Sequence, residues 1–297
     1  MNDMETCQCR GIRFCIFCKE SERVRKLLSA EGKLLDPSVV ISHQQEEERT
    51  SSCSLTLLEE SRLRFCINCQ AIFVSSVPLM SCSQHSSSLR SNVSILGLHV
   101  VRDFLSDDEE TYLVKFLDDP SPYPPWKESQ SGRRVQEYGP KKNFKKKKIK
   151  TTEFVSIPLP FENILDKARG LVERLTEKPY IIAEVSVLEY LRRRLSNFDP
   201  HIDDTWLWGD RIAGINLLED CFITFVNSEG VCLEVFLPRK CFFLMSGESR
   251  YSWMHAIRPE NVGNRRISFT IRELSDAFKE ENETACCQIT DAAKNYL

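Results

Sequence analysis

Apolar positions over the first ninety residues keep no sustained period, whereas from Ile95 onward they fall into two distinct repeats. "ILGLHVVRDFL" reads as a strand. "SDDEETYLVKFL" reads as a helix with Ser106 at its N-cap and Glu109 three residues on, a spacing at which each side chain can accept the other's backbone N–H. Phe161, Ile164, Leu165, Ala168, Leu171, Val172 and Leu175 recur every three or four residues and predict a second amphipathic helix. Beyond Tyr180 the pattern changes. "YIIAEVSVLEYL", "RIAGINLL", "CFITFV", "VCLEVFL", "KCFFLMS", "WMHAI" and "RISFTIREL" are short, rich in β-branched and aromatic residues, and separated by turn-like breaks. Strands at this spacing without intervening helices predict a sandwich or barrel.

The pattern divides the chain. Residues 1–20 form a cysteine cluster, and 21–90 are serine-rich and polar, the composition of a disordered linker. Residues 95–280 carry the regular elements, with a basic stretch at 126–150, and 281–297 form a tail. At 297 residues, 41% hydrophobic and 28% charged, the chain can bury a sizeable core. No run of eighteen apolar residues is present to span a bilayer, and no membrane partner is expected. "MNDMETCQCRG" lacks the apolar core of a secretory signal, so the cytoplasm and nucleus are the expected compartments. In a reducing compartment the 13 cysteines read as metal ligands or small buried hydrophobes rather than disulfides.

Chemistry concentrates in "DPHIDDTWLWGDR", Asp199–Arg211. In an extended backbone His201 and Asp203 point the same way, so the pair can hold one cation from one face. Of the five histidines, His43 and His85 lie in the serine-rich segment and His99 precedes the first helix. His255 lies in the strand-rich half. Two imidazoles and one carboxylate on one side of a metal leave the opposite positions open, an arrangement suited to non-haem Fe(II) and O₂. "RRISFTIRE" places Ile267, Phe269 and Ile271 on one strand face and Arg266, Ser268, Thr270 and Arg272 on the other. Guanidiniums on an inward face need an anion, which a dicarboxylate co-substrate or local acids such as Glu273 could supply.

Together, "PHIDDTWLWG", "INLL", "MHAI", "RRISFTIREL", "SQSGRRVQEYGPKKNF" and "CQCRGIRFCIFC" resemble the AlkB family of Fe(II)/2-oxoglutarate dioxygenases over about Cys7–Cys18 and Leu96–Phe278. The resemblance implies a mainly β, α+β fold: a double-stranded β-helix (jelly roll) with flanking helices behind an N-terminal Cys-rich segment. It implies iron at His201, Asp203 and His255, with 2-oxoglutarate and O₂ as co-substrates. Arg266 would pair with the distal carboxylate of 2-oxoglutarate, Arg272 would lie near its chelating end, and the Tyr190 hydroxyl would support it. The family often has Asn where Leu188 stands. The implied reaction is oxidative removal of N-methyl groups. Implied substrates are protein lysine, including monomethyl-lysine of actin, and N6-methyladenine in DNA. The net charge of −3 favours protein lysine.

From Arg133 to Lys150 there are nine Lys/Arg and one acid, with Tyr138 and Phe144 interleaved. Such a strip can bind DNA phosphates, meet an acidic protein, or signal nuclear import through Lys145–Lys148. By the resemblance it is a substrate-facing lid, giving substrate roles to Arg133, Arg134 and Tyr138. Cys7, Cys9, Cys15 and Cys18 have the spacing of a tetrahedral Zn(II) site. Cys66, Cys69, Cys82 and His85 have finger-like spacing in less promising surroundings. A non-catalytic zinc-containing scaffold that binds protein or nucleic acid is the rival reading, and the inward arginines argue against it.

Overall fold

Alternation along one strand sets the architecture. On β14 (Arg265–Leu274), Ile267, Phe269 and Ile271 are buried against helices, while Arg266, Ser268, Thr270 and Arg272 occupy the opposite face. The computed structural model describes residues 7–10, 13–30 and 62–297. It pairs β14 antiparallel with β7 (Glu184–Leu191) and β9 (Trp208–Leu217). Beyond β9 this large sheet continues into β12 (Phe242–Met245) and β3 (Leu98–Val101). Beyond β7 come β5 (Arg134–Asn143) and β4 (Lys127–Glu128), with β6 (Lys148–Val155) folded back on β5. The smaller sheet runs β2 (Ile72–Ser75), β1 (Arg62–Phe65), β11 (Cys232–Leu237), β10 (Cys221–Asn227), β13 (Trp253–Ile257) and β8 (Phe198–His201).

From β7 to β14 the chain visits the large, small, large, small, small, large, small and large sheets in turn. That order is a double-stranded β-helix, the architecture that the family resemblance implies. α1 (Glu22–Ala30) follows the cysteine cluster. α2 (Asp107–Leu117) and α3 (Glu162–Thr176) cover the outer face of the large sheet. The Ser106 hydroxyl accepts from the Glu109 N–H at 3.1 Å, and the Glu109 carboxylate accepts from the Ser106 N–H at 2.7 Å. α3 buries Ile164, Leu165, Ala168 and Val172, each large aliphatic contributing about 1.5–3 kcal/mol. Among the described residues no helix is long and apolar enough to cross a membrane.

Two expectations about chain organisation need correction. The interval 21–90 is not a linker throughout. It contains α1 and the β1–β2 hairpin, and β1 pairs in parallel with β11 and helps bury Phe65, Ile67 and Ile72. Strands of four residues are too short to establish a period, and surrounding serines and cysteines mask the alternation. Residues 31–61 of that interval lie outside the described residues. Nor is 281–297 a free tail. After α4 (Asp276–Glu281), α5 (Glu283–Lys294) buries Ile289 and Ala293, and the Leu297 N–H donates to the Ile157 carbonyl at 3.0 Å. Two apolar anchors four residues apart suffice to dock a helix yet barely register in a polar stretch.

Candidate active site

His201 ends β8, and His255 is its direct partner on β13, so the register of two neighbouring strands brings the imidazoles together. Their ring centroids lie 4.3 Å apart. Asp203 follows β8 by two residues, with its Oδ1 3.7 Å from His201 Nε2. One donor atom from each of the three residues falls within 4.8 Å of the others. His201 Nδ1 lies 2.8 Å from the Asp199 carbonyl oxygen. A carbonyl can only accept, so Nδ1 carries the hydrogen and Nε2 presents a lone pair toward the other two donors. That Nε2 is buried and makes no hydrogen bond. Burial, reinforced by His201, pushes the His255 imidazole down to about 3 and keeps it neutral. Two imidazoles and one carboxylate fit a divalent first-row metal with open positions.

Asp203 is buried, which alone would favour its neutral form. Arg272 outweighs that and holds the carboxyl well below the usual range. Arg272 donates to Asp203 at 3.3–3.4 Å and to Glu184 at 3.0 Å. Glu184, fully buried, also pairs with Lys142, whose ammonium lies 2.8 Å from Glu137. A chain of alternating charges thus runs from the metal-facing carboxylate to Lys142, beside the turn that joins β5 to β6.

Arg266 lies farther inside and is 2% exposed. Its Nε donates to Asn216 Oδ1 at 2.7 Å, its guanidinium carbon sits 5.0 Å from the Tyr190 ring centroid, and its Nη1 has no partner. Asn216 in turn donates to the carbonyls of Glu219, Leu237 and Pro238. A guanidinium buried against a neutral amide, with a nitrogen unused, fits an incoming carboxylate. Leu188 packs against the small-sheet core.

The three proposed lid residues part company. Arg133 is buried with its guanidinium carbon 3.7 Å from the Phe198 ring centroid, and Phe198 stacks on His201 at 3.9 Å. Burial lowers its proton affinity, against an opposing contribution from Tyr190, so Arg133 also adjoins the Arg266 pocket. Arg134 points the other way and is held by Glu189, with Nη2 at 2.8 Å from Oε1. Tyr138 is buried beneath α3, edge-on to Phe161 at 5.3 Å. Alternation along β5 places both on the outer face of the large sheet, which corrects their expected substrate role.

Ser131 and Gly132, both with positive φ (58° and 70°), aim Arg133 inward. A Cβ on Gly132 would lie 2.6 Å from the Arg194 carbonyl oxygen. The Ser131 N–H donates to Cys9 Sγ at 3.1 Å, and Arg13 pairs with Asp199 at 3.2 Å. The cysteine segment therefore packs against the strand that carries His201. Within it, the Sγ atoms of Cys7, Cys9, Cys15 and Cys18 converge within 4.8 Å. The hydrogen bond with Cys9 pulls the Cys15 thiol down to about 5 and pushes Cys9 up.

Asn216, Glu184, Phe198 and Arg13 were not singled out from sequence. Asn216 alone left a signal, as a polar residue at an inward position of the apolar run "INLL".

No protein-family model matches the chain. It is 34% identical over 281 residues to the DNA N6-methyl adenine demethylase of Caenorhabditis elegans, covering 94% of this chain and 90% of that one. It is 33% identical over 213 residues to the alpha-ketoglutarate-dependent dioxygenase alkB homolog 4 of Homo sapiens, covering 61% and 68%. The solved structure of an oxidoreductase of the 2OG-Fe(II) oxygenase family from Burkholderia pseudomallei is similar at 13% identity and a TM-score of 0.46, over 60% of this chain and 85% of that one.

Proposed function

This chain belongs to the AlkB family of Fe(II)/2-oxoglutarate-dependent dioxygenases, and from that premise we propose that it oxidatively removes N-methyl groups, with N6-methyladenine in DNA as its substrate. Arg266 carries the reading: a buried cation with an unused Nη1 belongs to a pocket meant for an anion.

His201, Asp203 and His255 are the iron ligands. Fe(II) bound there supplies, with 2-oxoglutarate and O₂, oxidation of the methyl carbon that ends in formaldehyde release. Arg272 keeps Asp203 ionised and supports the chelating end of 2-oxoglutarate. Arg266 would pair with the distal carboxylate through its unused nitrogen, Asn216 would orient the guanidinium by accepting from Nε, and Tyr190 would line the pocket. Phe198 stacks on His201 and covers one side of the centre. Cys7, Cys9, Cys15 and Cys18 hold Zn(II) at a closed site. Their separations, 3.6 Å for Cys15–Cys7 and 4.0 Å for Cys15–Cys18, approach the edge of about 3.8 Å that a tetrahedron with bonds of about 2.3 Å requires. This zinc acts by shape, holding Ser131 and so Arg133.

The substrate follows from local charge. Net charge pointed to a cationic methyl-lysine, but fields fade over about 8–10 Å in physiological salt, so nearby groups decide. Arg133 beside Phe198 donates to the Gln130 carbonyl rather than to a carboxylate. The turn between β5 and β6 exposes Lys145–Lys148 together with Phe144. These groups attract phosphates and offer a stacking face while repelling an ammonium. The relative covering most of the chain is itself named as a DNA N6-methyl adenine demethylase.

The test is a turnover assay with Fe(II), ascorbate and 2-oxoglutarate on N6-methyladenine duplexes and, separately, on actin-derived monomethyl-lysine peptides. Formaldehyde from the duplex, abolished in His201→Ala, is expected. Turnover of the peptide alone would reassign the substrate, and no succinate from any substrate would favour the scaffold.

A further inference from the structure

A second cluster lies at the opposite end of the small sheet from His201. The structure brings one donor atom each from Cys66, Cys69, Cys82 and His85 within 4.8 Å of one another. We propose that these four residues form a second, closed Zn(II) site that pins the β1–β2 hairpin to the jelly roll.

Two local structures build it. Cys66 and Cys69 occupy the turn leaving β1. There the Cys66 N–H donates to the Ala71 carbonyl at 2.9 Å and the Gln70 N–H to the Cys66 carbonyl at 2.8 Å, with Gln70 at φ 57°. The turn is tight enough to aim both thiols one way. Cys82 and His85 are the first and last residues of a 3₁₀ turn. Residues three apart in that conformation eclipse one another, so the thiol and the imidazole share a side. The turn is capped: Gln84 Oε1 accepts from the N–H groups of Met80 at 2.7 Å and Ser81 at 2.9 Å. His85 lies flat on Phe73, with centroids 3.8 Å apart and planes inclined by 16°, which directs Nε2 to within 3.5 Å of Cys69 Sγ. The spacing C-x₂-C-x₁₂-C-x₂-H matches the usual pairing of zinc ligands.

Ordinary packing does not account for the convergence. Cys66 is buried, but Cys69 and Cys82 are exposed, and exposed thiols gain nothing by gathering. The apolar cluster beneath consists of Cys66, Phe73 and Leu79 with Ala71 against them. β2 is a four-residue edge strand, and the turn after β1 and the chain after β2 have only this small cluster beneath them, so they are marginal without a staple. A metal supplies the staple. It ties the turn after β1 to the chain after β2, and β1 is the strand that carries Phe65 into the core beside β11. Four protein ligands leave no open position, so the site is structural and takes no part in demethylation.

Zinc content of the full-length protein, purified without added metal and dialysed against a mild chelator, tests this independently of any activity. The parent should hold zinc that falls by about one equivalent per chain in Cys82→Ser and in His85→Ala, and is retained in His85→Cys. Cys7→Ser should lose a separate equivalent. With Co(II) in its place, His85→Cys should shift the d–d bands, because the donor set changes from three sulfurs and one nitrogen to four sulfurs. The His201–Asp203–His255 centre contributes no thiolate absorption. Parent zinc content in a folded Cys82→Ser overturns the proposal. Should that variant fail to fold, alkylation of the parent decides. Cys69 and Cys82 should resist iodoacetamide until zinc is stripped. Modification at the rate of free thiols with no zinc release, or a disulfide among Cys66, Cys69 and Cys82, overturns it.

Discussion

Arg272 and Asp203 come from opposite sides of the jelly roll and meet at its mouth, guanidinium to carboxylate at 3.3–3.4 Å. The pair links the large sheet to the loop after β8, so an arginine far along the chain governs the protonation of a proposed iron ligand.

Arg272→Met should weaken metal binding about 10–100-fold, as loss of a ligand's supporting partner generally does. The pH dependence should change with it. With Arg272 present, the Asp203 pKa is depressed, and its carboxylate stays available until the pH falls through a value below the usual ~4. Without Arg272, burial acts unopposed by that charge and raises the pKa, so affinity should already decline in mildly acid solution. Co(II) titration at neutral and mildly acid pH measures both effects. Unchanged affinity at either pH refutes the linkage.

Arg266→Gln should raise the KM for 2-oxoglutarate by about 10–150-fold, the loss of a charge-assisted hydrogen bond worth about 1.5–3 kcal/mol. Asn216→Leu should raise it less, because the charge remains while its orientation is lost. Iron binding should stay at the parent level in both, as read by calorimetry. Equal KM values for parent and Arg266→Gln would place the co-substrate elsewhere.

Glu184→Leu should destabilise the fold by about 3–5 kcal/mol, since it leaves Arg272 and Lys142 without their shared buried anion. Urea unfolding reads this directly. A loss below about 1 kcal/mol would mean that water relieves the network.

Gly132→Ala should cost about 1–2 kcal/mol for the left-handed backbone. The contact with the Arg194 carbonyl should also displace Arg133. Turnover should fall more than stability, a split visible by comparing kcat/KM with the unfolding midpoint.

Replacing Lys145, Lys146, Lys147 and Lys148 with serine should weaken DNA binding and flatten its dependence on salt by up to about 0.9 per lost phosphate contact. Metal and 2-oxoglutarate binding should not move. An unchanged salt slope would assign these lysines to bare solvated surface.

Patterns carried within one element were legible early. The Ser106–Glu109 cap, the α3 stripe and the two faces of β14 depend on spacings of two to four residues. His201 with Asp203 is likewise a local signal. Arg134 and Tyr138 misled because a run of basic and aromatic residues says nothing about which strand face turns outward. The β1–β2 hairpin escaped notice because it is stable only beside β11, more than 160 positions away in the chain.

By itself, the order of residues determined which segments could become strands and helices and which side chains could hold a metal, because those properties reside in short-range backbone preference and donor chemistry. Only the tertiary structure decided that His255 would stand opposite His201, that Asn216 would meet Arg266, and that Arg133 would turn inward while Arg134 turned out. Such pairings depend on strand register and on which sheet face is buried, and both are settled by burying apolar surface across the whole fold.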